Sequence, residues 1–160
     1  MPSSKSIRKM MFTLQDFSRF VDVMEVGITI KAMNELEILK SARTVAVLGF
    51  SPDPYKTSYH AASHLIDHGY EVYLVNPNHA GKESLGLTIL SSLSEITVHI
   101  DVIDVFRKSE SIPEITDEMI AAKPGTVWFQ LGISSPESEE KIRNVGINVV
   151  SNRCVMEVLR

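Results

Sequence analysis

The chain is nearly without cysteine. Cys154 is the only one in 160 residues, so no intrachain disulfide can brace the fold, and a reducing compartment, the cytoplasm, is expected. Long apolar runs are missing as well: nothing approaches the roughly 18 consecutive apolar residues of a membrane span. Lys5, Arg8 and Lys9 lie near the start, but no apolar stretch of secretory length follows them before Gln15 and Asp16, so a secretory leader is not expected. There is no excess of positive charge. Sixteen basic residues face 20 acidic ones, a net charge of −4, which offers no general attraction to nucleic acid or to an anionic membrane. Any anion must be held by local geometry.

What remains is an ordinary globular composition, 44% hydrophobic and 22% charged, in a chain long enough to bury one core without metals. Residues 1–9 are polar and basic and carry no structural signal. Thr13 can cap a helix in which Phe17, Phe20, Val21 and Met24 recur at i, i+3, i+4 and i+7, closed by Gly27. That apolar stripe reads as packing, on this domain or on a twin subunit, and allows for a homodimer. Residues 1–32 are therefore taken as a helical extension and 33–160 as the main domain. A second helix over about 32–41 leads into it.

From residue 43 onward strands and helices alternate. The pattern predicts strands at 44–48, 70–75, 100–105, 126–131 and 147–151, with helices at 57–68, 111–122 and 136–145. A short helical turn is expected at 91–96. Five short apolar strands separated by helices call for a Rossmann-like, doubly wound parallel sheet with helices on both faces. Ligands of such sheets bind outside the carboxyl ends of the strands.

The first strand runs into Gly49-Phe50-Ser51-Pro52-Asp53-Pro54, and the following helix opens with Lys56, Thr57 and Ser58. A glycine there permits a sharp turn and close approach of an anion. The helix start adds free N–H groups and a favourable dipole. Ser51 adds a hydroxyl, and Ser51, Asp53 and Tyr55 each offer a backbone N–H. The bland alternative is an ordinary strand–helix connection in which Ser, Asp and Thr cap the helix. Asp53 complicates the anion reading, because its carboxylate must turn to solvent. Two features of an NAD site are absent. There is no G-x-G-x-x-G, and the second strand ends in Asn76-Pro77 where a ribose-binding Asp or Glu would be expected. Asn76 can hydrogen-bond without charge and Pro77 can form an apolar wall, although Asn-Pro is also a common turn starter. His79 and Lys82 are placed to meet a further phosphate, or are solvated.

These motifs in order, with Leu85-Gly86, Asp104-Val105-Phe106-Arg107, Trp128-Phe129-Gln130-Leu131-Gly132 and Asn152-Arg153-Cys154, are similar to the small stand-alone CoA-binding domain proteins. That family shares the CoA-binding fold of the succinyl-CoA synthetase α subunit. The resemblance covers roughly 35–158. It implies that coenzyme A or an acyl-CoA is the ligand, with Gly49, Phe50, Ser51, Lys56, Thr57 and Ser58 around the diphosphate and Asn76 and Pro77 beside the adenosine. It further implies that Val105, Phe106 and Arg107 line the pantetheine and phosphate side, and that Gln130 and Gly132 face the pantetheine arm. Many relatives carry a basic residue directly after Asn-Pro; here Asn78 stands there.

Chemistry is not expected. No Ser-His-Asp order or paired carboxylates stand out, and Asp101 and Asp104, three apart in one strand, point to opposite faces. His60, His64 and His68 recur every four residues but lack a Cys or Glu partner, and are read as surface or capping residues rather than metal ligands. Cys154 follows the last strand beside Arg153; it is either a small packed residue or a thiol able to form a mixed disulfide with CoA. The sequence reading is thus a non-catalytic CoA-binding sensor, carrier or adaptor, with an NAD(H)-binding redox sensor or small oxidoreductase as the alternative.

Overall fold

The computed structural model describes residues 34–160. The helix expected over 13–27, the 1–32 extension and the homodimer expectation that rests on them lie outside the described residues. Contacts divide the chain after Glu37, and 38–160 forms one compact unit. Helix α1 (Glu35–Ser41) leads into strand β1 (Thr44–Leu48), followed by α2 (Thr57–Asp67) and β2 (Glu71–Val75). A small hairpin, β3 (Glu83–Ser84) and β4 (Leu87–Thr88), precedes β5 (Val102–Val105). The chain then runs through α3 (Ile112–Ala121), β6 (Thr126–Phe129), α4 (Pro136–Asn144), β7 (Asn148–Val150) and α5 (Val155–Val158).

The main sheet is parallel, ordered β2-β1-β5-β6-β7. This is the doubly wound arrangement the alternation predicts, with the strand order reversing between β1 and β5. Strand alternation sends Val45, Val47, Val102 and Trp128 to the face covered by α2 and α5, together with Ala61, Ala62 and Leu65. Ala46, Leu48, Ile103, Val105, Val127 and Phe129 go to the other face, against Ile112 and Met119 of α3 and Ile142 of α4. Burial on both faces explains why the strands read as unbroken apolar runs.

Helix α2 ends as expected at Gly69, whose φ is +86°. The Gly69 N–H donates to Ile66 O at 3.0 Å and the Tyr70 N–H to Leu65 O at 3.1 Å, a Schellman closure. At the amino end of the sheet, Asp101 accepts from the Arg43 and Thr44 N–H groups and the Thr44 hydroxyl. Burial acts to raise this carboxyl, but those donors outweigh it and hold it below its ordinary range.

Several strands are shorter than expected, and two features were not anticipated. The stretch between β2 and β5, to which no strand was assigned, contains the β3–β4 hairpin. Its two turn residues, Leu85 and Gly86, have φ of +53° and +75°, the combination a tight two-residue hairpin needs. The chain beyond it runs along β2, with Leu90 N–H donating to Leu74 O and Asn76 N–H to Leu90 O, and so covers an edge that would otherwise stand open. The last turn of helix, α5, follows β7 in residues to which no element was assigned.

Gly49 marks the crossing of two loops. Its φ is +88°, and a Cβ there would lie 2.6 Å from the Phe106 carbonyl oxygen and 3.0 Å from Arg107 Cδ. At Gly69 a Cβ would meet nothing within 4 Å. Gly49→Ala is therefore expected to cost about 3 kcal/mol or more, and Gly69→Ala only about 1 kcal/mol from its left-handed backbone. Urea unfolding midpoints of the two variants check the ranking; equal losses would refute it.

Candidate functional site

The loops after β1 and β5 flank the point where strand order reverses. Gly49 and Phe50 N–H groups both donate to Val75 O, and Phe106 N–H donates to Leu48 O at 2.8 Å. Asn76 clasps this junction: its side-chain amide donates to Phe50 O at 2.9 Å, and its oxygen accepts from Asn78 N–H at 3.0 Å. Asn76 is 7% exposed, so its side chain already serves the loops around it.

The β1 loop is closed on itself. Ser51 N–H donates to Ser58 Oγ, Asp53 N–H to Ser51 Oγ and Tyr55 N–H to Asp53 Oδ1, at 3.0, 3.2 and 2.9 Å. The three N–H groups that the sequence offered to an anion are thus engaged within the loop, a correction to the simple nest reading. Asp53 is turned onto Tyr55 N–H by the same bond. Nor do Ser, Asp or Thr cap α2: its N-cap is Lys56, and no side chain bonds there. Among the described residues no hydrogen bond engages the N–H groups of Thr57 and Ser58. They remain available with the positive end of the helix dipole.

Two hollows meet at Arg107. The larger, about 450 Å³, is lined by Thr57, Phe106, Arg107, Lys108, Gln130, Leu131, Ile133, Cys154 and Glu157, a size usual for small-molecule sites. The smaller, about 70 Å³, is bounded by Leu48, Gly49, Pro77, Ser91, Arg107, Ile115 and Glu118. Arg107 is half-buried and makes no hydrogen bond or ion pair among the described residues. Lys56 stands exposed beside Thr57.

The fold thus brings Thr57, Phe106, Arg107 and Gln130 into one hollow, and Gly49, Pro77 and Arg107 into the next. Phe50 and Val105 are completely buried and reach the site only through their backbone; Phe50 stacks on Tyr59 with centroids 6.2 Å apart. Ser58 is buried as the acceptor for Ser51. Gly132 is exposed, and its N–H donates to Asn152 Oδ1 at 2.9 Å. Trp128 Nε1–H donates to Arg153 O, which seats the segment carrying Cys154 against the hollow.

Residues 43–160 match the family described as the CoA binding domain. The chain belongs to that family. It is 34% identical over 119 residues to the uncharacterized protein YneT of Bacillus subtilis (strain 168), covering 74% of this chain and 87% of that protein. The solved structure of cell-free ID.343 from Thermus thermophilus superposes with a TM-score of 0.76 at 37% identity, covering 79% of this chain and 97% of that one. A dinucleotide-forming acetyl-coenzyme A synthetase 1 from Ca. Korarchaeum cryptofilum, solved with phosphate and ADP, matches with a TM-score of 0.60 at 25% identity. That match covers 74% of this chain but 27% of the synthetase. The Rossmann-like fold and family expected from the motifs are both shown.

Within this CoA-binding fold one residue stands out that the motifs underrate. Asp104 is 0% exposed. Gln130 Nε2–H donates to its Oδ1, while Oδ2 has no partner among the described residues. Burial pushes its carboxyl up to about 7, against a smaller lowering by the Gln130 bond. The sequence showed it as a polar residue within an apolar strand and the first residue of one family motif; the structure sets it between the apolar Val47 and Trp128 in register. The histidines are structural: His64 Nε2 lies 3.3 Å from Leu159 O and His68 Nδ1 2.8 Å from His64 O. Among the described residues no three His, Cys, Asp or Glu side chains are grouped to hold a metal, and no helix is long and apolar enough to cross a membrane.

A carboxyl whose folded value lies above its ordinary 3.8 binds its proton more tightly in the native state. Its contribution leaves stability intact below about pH 4, and stability is lost as pH rises to about 7. The loss reaches about 4 kcal/mol at most once both states are ionised. Asp104→Asn removes this slope. Denaturant titrations at pH 5 and pH 8 should show the variant gaining on the parent at the higher pH; a pH-independent difference would rule out the buried, proton-binding Asp104.

Proposed function

We propose that this chain binds coenzyme A or an acyl-CoA across the two hollows that meet at Arg107, and performs no chemistry on it. The observation that carries the reading is Arg107 itself: a half-buried guanidinium without a partner among the described residues, set between the hollows. Beside it lie the uncapped start of α2 and Lys56. A diphosphate satisfies all three. Arg107 gives it fork-shaped donors, the N–H groups of Thr57 and Ser58 add two more, and Lys56 adds a point charge. Gly49 lets the two loops cross closely, which sets Arg107 against the first loop.

Pro77 and the smaller hollow take the adenosine side. The larger hollow, walled by Phe106, Leu131 and Ile133 with Gln130 as its polar group, suits the pantetheine arm, a chain of methylenes and amides. Family membership and the likeness to a coenzyme A-using synthetase support the same ligand. Among the described residues no nucleophile around the hollow is hydrogen-bonded to a general base, so a sensor, carrier or adaptor role accords better with it than turnover. A cytoplasmic setting and a small-molecule partner, without nucleic acid or membrane, complete the reading.

Titration calorimetry with CoA, dephospho-CoA and NADH tests the ligand. Binding of CoA with none of NADH is expected, because no carboxylate closes β2; tight NADH binding without CoA would overturn the proposal.

Arg107→Ala should weaken CoA about 10-fold or more, and the exposed Lys56→Ala only roughly 2- to 5-fold. His64→Ala should leave affinity unchanged, since the His64 ring meets Leu159 O and lines neither hollow. Parent-like affinity in both cation variants would remove the phosphate assignment.

A further inference from the structure

Asp104 lies on the sheet face covered by α2 and α5, directly behind Gln130. The pair is joined by one hydrogen bond from Gln130 Nε2 to Asp104 Oδ1. Gln130 lines the larger hollow, and its Oε1 takes no partner among the described residues. Asp104 Oδ2 is buried and has no partner among the described residues. Half of an ionised carboxylate is thus left without a donor, which is costly in a dry interior.

A proton can go to either oxygen. On Oδ2 it makes a buried O–H with no acceptor among the described residues, and an unpaired buried donor is costlier than an unpaired carbonyl. On Oδ1 the O–H is paired once the Gln130 amide turns over and offers Oε1 to it, and this arrangement is the one inferred for the neutral state. The Gln130 NH2 then points into the hollow. The two protonation states of Asp104 therefore present opposite hydrogen-bonding groups from the same side chain. In the ionised state the hollow receives a carbonyl; in the neutral state it receives an N–H donor.

We propose that Asp104 is a positioning residue whose proton decides which end of Gln130 meets the ligand, so that a ligand carbonyl is held more tightly when Asp104 is neutral. The inference rests on the larger hollow taking the pantetheine or acyl part of CoA, where amide and thioester carbonyls abound. The neutral state suits the rest of the lining, since Thr57, Arg107 and Lys108 also supply donors.

Other titratable groups near this face must be separated from the effect. On the elements covering it they are Tyr59, His60, His64 and Asp67 of α2, with Cys154 and Glu157 at α5. Arg107 and Lys108 follow β5 itself. The neighbouring strands supply Val47 and Trp128 at this level. Among the described residues none of the charged groups forms an ion pair with Asp104. Cys154 is the one thiol in the hollow, and a Cys154→Ser background removes its titration.

The test has two readouts. In ligand-free protein, the side-chain amide resonances of Gln130 should titrate with a midpoint near the Asp104 value of about 7, together with the Asp104 carboxyl carbon. In Asp104→Asn they should stay flat. A Gln130 amide that does not move between pH 5 and 9 in the parent overturns the inference, whatever CoA does. The second readout is the ratio of CoA affinity at pH 6 to that at pH 8. In the parent it should exceed the same ratio in Asp104→Asn by about fivefold, the worth of one hydrogen bond; titration of the CoA phosphates cancels in this comparison. Equal ratios overturn the ligand half of the inference. Should CoA fail to bind at either pH while the Gln130 amide titrates, the CoA reading falls and the proton-driven turn of Gln130 stands.

Discussion

The site depends on one close crossing of backbone. The loops after β1 and β5 pass so near each other that the space where a Gly49 Cβ would sit is filled by the Phe106 carbonyl. The contact is made firm by hydrogen bonds from Phe106 to Leu48 and from Gly49 and Phe50 to Val75. It brings Arg107 over the first loop, puts Pro77 on one side of it and opens the larger hollow on the other. A glycine at this position is thus demanded by the protein's own packing.

Around that crossing the polar side chains divide into two kinds. Asn76, Ser51, Ser58 and Asp53 spend their hydrogen bonds on the loops. They make the site rigid before any ligand arrives, which lowers the entropy lost on binding. Arg107, Gln130 and the first N–H groups of α2 keep capacity in reserve. The buried Asp104, one oxygen of which has no partner among the described residues, is the costliest member of the set, and it sits behind the one side-chain amide of the larger hollow. A core built for stability alone would place an apolar residue there, as at the neighbouring Val47 and Trp128.

Much of this architecture was legible in the chain. Five apolar runs, the helix stop at Gly69 and the strand–glycine–helix order around residue 49 follow from local rules, and each appears in the structure. Element ends were less legible, because the last residue or two of a strand such as 126–131 depends on which neighbour it meets. The β3–β4 hairpin was missed because Leu85, an unusual residue at positive φ, carries no turn signal. Among the site residues, the shared hollow of Thr57, Phe106, Arg107 and Gln130 joins segments more than 70 positions apart. The motifs named all four, and the topology made them neighbours.

The sequence by itself determined the class of fold and the family, since periodicity, glycine placement and the order of the motifs are properties of the chain itself. Only the tertiary structure decided how each polar group is used. Whether an N–H of the first loop is free or engaged, whether Phe50 and Val105 face the ligand or the core, and whether Asp104 is solvated or dry all depend on what packs against them. Hydrogen bonding and desolvation are settled by neighbours in space, and most of those neighbours are distant in the chain.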